Sequence, residues 1–110
     1  HNPNGAMALR ESLDIYFPTQ KRRFVFGCLN TKDNHKMMQI LFTKNDEIYL
    51  NHFSHPNSVT VEDLQKACPY PTKKFQSLSE FDLSDNKTLT IICGSFYMIQ
   101  DILTPDTIEN

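Results

Sequence analysis

Three β-prone apolar runs, Arg22 to Leu29, Glu47 to Phe53 and Thr88 to Cys93, are separated by stretches with helical periodicity rather than by tight turns. Strands joined this way cannot pair as hairpins. Each connection has to carry the chain back along the sheet, which makes neighbouring strands parallel and the crossovers right-handed. From Asn4 to Phe17, the apolar residues Ala6, Leu9, Leu13, Tyr16 and Phe17 recur at spacings of three and four, with Arg10, Glu11 and Asp14 between them. That spacing predicts an amphipathic helix capped by Asn2 or Asn4 and closed by Pro18. Asn34 to Thr43 predicts a second helix with Met37, Met38, Ile40, Leu41 and Phe42 on a broad apolar face. Thr60 to Asp63 has capping-box spacing before a short helix ending near Ala67, which Pro69 and Pro71 prevent from continuing. Lys73 to Ser77 reads as a short strand, and Leu78 to Lys87 as a polar connection with at most one helical turn. After the strongest strand signal, Thr88 to Cys93, Gly94 turns the backbone and Ser95 caps a last helix from Phe96 to Leu103. The expected architecture is a three-layer, Rossmann-like α/β domain. Its mainly parallel sheet has four to six strands flanked by helices, with functional loops at the carboxyl ends of the strands.

Composition narrows the function classes. A chain of 110 residues is one domain. Eleven Lys and Arg against thirteen Asp and Glu give a net charge of −2, which argues against a nucleic-acid module. Apolar runs fall far short of the ~20 residues of a membrane helix, and residues 1–20 lack the apolar core of a secretory signal. Three cysteines without a CxxC pair argue against a disulfide framework and favour a reducing, cytoplasmic setting.

Glycine supply sets a second limit. With only Gly5, Gly27 and Gly94, the chain can form neither a GxxxxGK phosphate loop nor a GxGxxG dinucleotide fingerprint. If the protein handles ATP, another domain holds the phosphates. Three polar features remain at the ends of elements. His1-Asn2-Pro3-Asn4-Gly5 precedes a helix N-terminus and reads as a cap or as an anion contact. Lys32 follows the first strand beside Asp33 and reads as solvated surface or as a ligand contact. Ser95, with Tyr97, sits where strand meets helix, and is either an N-cap alone or also a donor to a carboxylate or phosphate. His52 and His55 have an HxxH spacing that His35 could join. At a strand end, alternate residues face opposite sides, and the structural reading is favoured over a metal site. Cys28 and Cys93 lie in apolar strands and read as small hydrophobes.

Four of these landmarks together resemble one family. His1-Asn2-Pro3-Asn4-Gly5-Ala6 is similar to the second half of the Asp-Gly-Ala-His-Asn-Pro motif of folylpolyglutamate and dihydrofolate synthases, members of the Mur ligase superfamily. Phe24 to Leu29 with Lys32-Asp33 resembles their strand and Asp-Lys-Asp loop, and Ile48-Tyr49-Leu50 with His55-Pro56 their next strand and His-Pro-Arg turn. Ile92 to Tyr97 resembles their Gly-Ser-Leu-Tyr signature. The order is kept over about residues 1–103.

The resemblance implies a domain of the Mur ligase C-terminal type, spanning residues 1–110 as a fragment of a larger chain. The implied parent is an ATP- and magnesium-dependent ligase of folate and one-carbon metabolism. It would phosphorylate a folate or dihydropteroate carboxylate and let the amine of glutamate attack the acyl phosphate. The partner of this domain would be the N-terminal and central ATPase domain of the same polypeptide, and the fragment alone would be inactive. Carried over by position, His1 and Asn2 line the nucleotide side of the cleft, and Lys32, Ser95 and Tyr97 meet the amino-acid substrate. No catalytic residue and no metal ligand is expected within the fragment. Three departures stand out: the family's acidic residue before the histidine falls outside the sequence, Asn57 replaces the arginine after His-Pro, and Leu78 to Lys87 is short and polar where the family has an alanine-rich helix. That last difference predicts thinner cover on one sheet face. The alternatives are a peptidoglycan-precursor ligase domain and a non-enzymatic α/β binding module.

Overall fold

The computed structural model describes residues 3–30 and 33–103. Helix α1 (Pro3–Tyr16) leads into strand β1 (Lys21–Gly27), followed by α2 (Asn34–Leu41), β2 (Glu47–Leu50), α3 (Val61–Ala67) and β3 (Lys73–Lys74). A single 3₁₀ turn (Leu78–Glu80), strand β4 (Thr88–Gly94) and helix α4 (Phe96–Leu103) complete the described chain. All three strand pairings are parallel, and the strand order is β3-β2-β1-β4. The α/β architecture and parallel sheet agree with the pattern of the sequence, with four strands at the lower end of the expected range.

Three elements stop earlier than their apolar runs, each because a polar group captures the backbone. Helix α2 ends before Thr43, whose amide donates to the Asp46 carboxylate at 2.8 Å. Strand β2 ends at Leu50 rather than Phe53, since the Phe53 amide donates to Ser58 Oγ and the Phe53 carbonyl accepts from His55. Past Gly27, Leu29 leaves the parallel sheet to form an isolated antiparallel bridge with Ser58. At the start of α3, the Thr60 hydroxyl accepts the Asp63 amide, as its spacing predicts.

Alternation along the central strand divides the core in two. Phe24 and Phe26 of β1 point to one face, where Ile48, Leu50 and Cys93 meet α1, α2 and α3 through Leu13, Met38, Leu41 and Leu64. Phe42 packs its ring 4.9 Å from Phe24 and 5.6 Å from Phe26. Val25 points to the other face and joins Phe53, Phe75, Phe81 and Met98 of α4. This second layer is thinner, and it is the side on which the short 75–87 connection runs. That connection covers the sheet with aromatic rings instead of a helix: Phe81 stacks edge-on to Tyr49 at 4.8 Å and carries the Arg23 guanidinium 4.3 Å above its ring. Leu83 is left exposed.

Charge fixes where α1 docks. Arg22 is buried, with its guanidinium 2.9 Å from the Asp14 carboxylate of α1, and Arg10 lies 3.2 Å from the same group. The hydrogen bond from Arg22, helped by the positive charge of Arg10, holds the Asp14 carboxyl below its ordinary range. A carboxyl depressed on folding stabilises the fold above its unfolded pKa, and that contribution is lost as pH falls through the folded value. Acid titration of unfolding should therefore show stability declining below about pH 4, with the slope reduced in Asp14→Asn. In the core, Phe24→Ala removes a fully buried ring and should lower the unfolding free energy by about 3–5 kcal/mol in urea.

Candidate functional site

The strand order reverses direction at β1. From there the chain proceeds to β2 and β3 on one side, then crosses the sheet to place β4 on the other side of β1. In an open parallel sheet the crevice at such a reversal, outside the carboxyl ends of the strands, is where ligands bind. Here those ends are Gly27 and Gly94, paired in register. Gly94 has φ of +114°, a conformation that L side chains rarely adopt, and a Cβ on it would fall on the Gly27 carbonyl oxygen. A Cβ on Gly27 would lie 2.5 Å from the Asn51 carbonyl. Two of the chain's three glycines thus let three backbone segments converge at one point.

Ser95 follows directly. It is buried, its amide donates to the Gly27 carbonyl at 2.9 Å, and its Oγ accepts the Tyr97 amide at 3.2 Å. Its side chain is therefore an N-cap of α4, with the hydroxyl hydrogen left to donate. Tyr97 is exposed on the first turn of α4, its ring centroid 4.8 Å from that of His55. His55 Nδ1 accepts the Asn57 amide at 3.0 Å, which puts the proton of the neutral ring on Nε2. Sequence reasoning missed this ring pair, since residues 55 and 97 share no local pattern. The Asp101 carboxylate of α4 accepts the Ser54 amide at 3.0 Å and ties the helix to the same loop.

His1, Asn2 and Lys32 lie outside the described residues. Described residues close to them in sequence do reach this edge. Gly5 and Ala6 of α1 line a small apolar cavity with Phe26, Cys93 and Gly94. The loop after β1 is stitched to the loop after β2, with the Asn30 amide donating to the Asn57 carbonyl and the Val59 amide to the Cys28 carbonyl. Asn57, standing where the family has arginine, serves here through its backbone. Beside α4, Asn51, His52, Gln76, Ser77 and Asp101 line a separate open cleft of about 330 Å³, of which the sequence marks only His52.

The histidines of the HxxH pair have backbone partners, His52 Nδ1 with the Val59 carbonyl and His55 with Asn57. Among the described residues, no group of three or more His, Cys, Asp or Glu side chains could hold a metal ion. Burial pushes the thiols of Cys28 and Cys93 up to about 12 and raises that of Cys68 as well. Cys28 and Cys93 are thiols of a core, not nucleophiles.

The architecture is the Rossmann-like α/β type found in the C-terminal domain of Mur ligases. Among solved structures of that type, the chain is similar to folylpolyglutamate synthases. It matches the bifunctional folylpolyglutamate synthase/dihydrofolate synthase of Yersinia pestis, solved with AMPPNP and a manganese ion, at 25% identity and a TM-score of 0.76, covering 90% of this chain and 25% of that one. Escherichia coli FolC in complex with ADP gives a TM-score of 0.75 at 24% identity, covering 90% of this chain and 25% of that one. Mycobacterium tuberculosis folylpolyglutamate synthase with ADP and AMPPCP gives 0.64 at 24% identity, covering 86% and 25%. This chain spans a quarter of the length of these structures, so the similarity is to a fragment of them. No protein-family model and no curated protein matches the sequence. No helix among the described residues is long and apolar enough to cross a membrane.

Two outcomes follow from the site. Ser95→Ala removes the cap of α4 and should cost about 1 kcal/mol in thermal or urea unfolding, with Ser95→Gly costing only a few tenths. In native alkylation followed by mass spectrometry, half-buried Cys68 should be modified first, and Cys28 and Cys93 only on unfolding.

Proposed function

We propose that residues 1–110 are the C-terminal domain of an ATP-dependent ligase that joins glutamate to a folate or dihydropteroate carboxylate through an acyl phosphate. The observation that supports this most is the fold match, which covers nine-tenths of the chain, together with the place of Ser95 and Tyr97 at the carboxyl end of β4. The glycine pair opens the crevice and β4 delivers Ser95 into it. Tyr97, backed by His55, forms the outer wall.

In this reading the Ser95 hydroxyl hydrogen, left over from capping, donates to the carboxylate of the incoming amino acid, and Tyr97 shapes its approach. Lys32 contributes positive charge, and His1 and Asn2 meet the nucleotide. The chain has no phosphate loop, and no metal-holding cluster among its described residues, so no step of phosphoryl transfer is assigned to it. Phosphates and magnesium fall to the preceding domains of the parent polypeptide. This domain's own contribution is to close the cleft and keep water from an acyl phosphate, which hydrolyses if exposed. The work belongs to the cytoplasm, where folates and ATP are at hand.

Expressing the full-length parent and following ADP release tests the reading. Release should require glutamate together with a folate or dihydropteroate. Release that instead follows a peptidoglycan precursor, or no release with any of these acceptors, overturns it. In that parent, Ser95→Ala should raise the KM for glutamate about tenfold, the equivalent of one hydrogen bond of about 1.4 kcal/mol. An unchanged KM removes Ser95 from the amino-acid site.

A further inference from the structure

The open cleft beside α4 takes no part in the site built on Ser95. It lies outside the carboxyl ends of β2 and β3, on the ligand-binding edge of a parallel sheet, and has a volume of about 330 Å³. Both of its walls are pinned. On one side β3 ends at Lys74, and the Glu80 carboxylate accepts the Gln76 and Ser77 amides at 2.8 and 3.1 Å. On the other, Asp101 Oδ2 accepts the Ser54 amide at 3.0 Å and holds α4 in place. Hydrogen bonds to a carboxylate are stronger than neutral ones, so the walls stand in position without a ligand.

The lining has a definite chemistry. Phe75, Leu78 and Ile102 give an apolar surface. Around it are polar groups with bonds left to make. Asp101 keeps Oδ1 as an acceptor. His52 Nδ1 lies 3.4 Å from the Val59 carbonyl, which puts the proton of the neutral ring there and leaves Nε2 to accept. The carboxamides of Asn51 and Gln76 have no partner among the described residues and offer donors as well as acceptors. Among the described residues no Lys or Arg lines the cleft, so a carboxylate or phosphate would meet Asp101 without a compensating charge. A ligand here needs donors and a flat apolar body.

We propose that the cleft binds a flat nitrogen heterocycle through an amino-oxo-pyrimidine edge, the edge that pterins and guanine share. Its ring N–H and exocyclic amine are adjacent donors that suit the Asp101 carboxylate, and its carbonyl oxygen can accept from a carboxamide. Its faces can lie against Phe75 and Ile102. Size agrees, because about 330 Å³ is at the small end of ligand pockets: one fused ring fits, and the rest of a folate or a nucleotide would extend into solvent. The site stands whether or not the parent is a ligase.

Titrating the full-length parent with pterin and, separately, with guanosine tests this, read from the methyl signals of Leu78 and Ile102. At least one ring should shift both signals saturably, with a Kd on the order of a millimolar for so small a ligand, and the tighter of the two identifies the source. Asp101→Asn can keep the Ser54 contact through its amide oxygen but loses the charge, and should weaken binding about tenfold. Gln76→Ala should weaken it about threefold and leave the unfolding midpoint unchanged. Methyl signals that stay silent with both rings at about ten times the expected Kd overturn the proposal. So does binding that Asp101→Asn leaves unchanged, or guanidinium chloride binding as tightly as either ring, since the cleft would then read charge alone. A parent without ligase activity that binds here fails the functional reading and keeps this site, and an active ligase with silent methyls does the reverse.

Discussion

Everything at the carboxyl edge depends on the close approach of Gly27 and Gly94. A side chain on Gly94 would collide with the Gly27 carbonyl, and one on Gly27 with the Asn51 carbonyl, so the missing Cβ of Gly94 lets β4 approach β1 and that of Gly27 lets β1 approach the residue after β2. Once they meet, the Gly27 carbonyl captures the Ser95 amide and the direction of α4 is set. Ser95 is thereby buried at the joint of β4 and α4, with Tyr97 exposed on the first turn of α4. A wider junction would separate the cap of α4 from the strand that positions it.

The rest of the molecule keeps that junction rigid. Fully buried Phe24 and Val25 anchor β1 to the two helical layers, one on each face. The Arg22–Asp14 pair locks α1 against the amino end of the same strand, and Asp101 fastens α4 to the loop after β2. The layers are unequal. Where a helix would normally cover the sheet between β3 and β4, Phe75 and Phe81 do so through a few residues of loop, with Arg23 stacked over one ring. Two aromatic side chains bury much apolar area for little chain, which explains how a polar connection can still seal a core.

Most of the fold was legible in the sequence because apolar periodicity and cap residues act locally. Thr60, Ser95, Pro18 and the β-prone run ending at Gly94 each mark a boundary with a physical cause. What periodicity could not show was lateral order. Thr88 to Cys93 carries the strongest strand signal, yet β4 lies at an edge among the described residues. A strand apolar on both faces looks the same in sequence whether it is central or at an edge. The site was legible only in part for a similar reason. Ser95 and Tyr97 could be marked from their place at a strand–helix joint, whereas the His55–Tyr97 ring pair and the Gly27–Gly94 contact join residues far apart in sequence. The match to folylpolyglutamate synthase structures covers a quarter of their length.

The unfolding free energies of Gly27→Ala, Gly94→Ala and the double variant test the central contact most directly. Each single variant should lose at least ~2 kcal/mol through backbone strain and displacement. The double variant should lose more than either single variant, because moving β4 away relieves the clash of residue 94 with the Gly27 carbonyl but leaves that of residue 27 with the Asn51 carbonyl. Wild-type stability in Gly94→Ala, or a double variant no less stable than the worse single variant, would contradict the account.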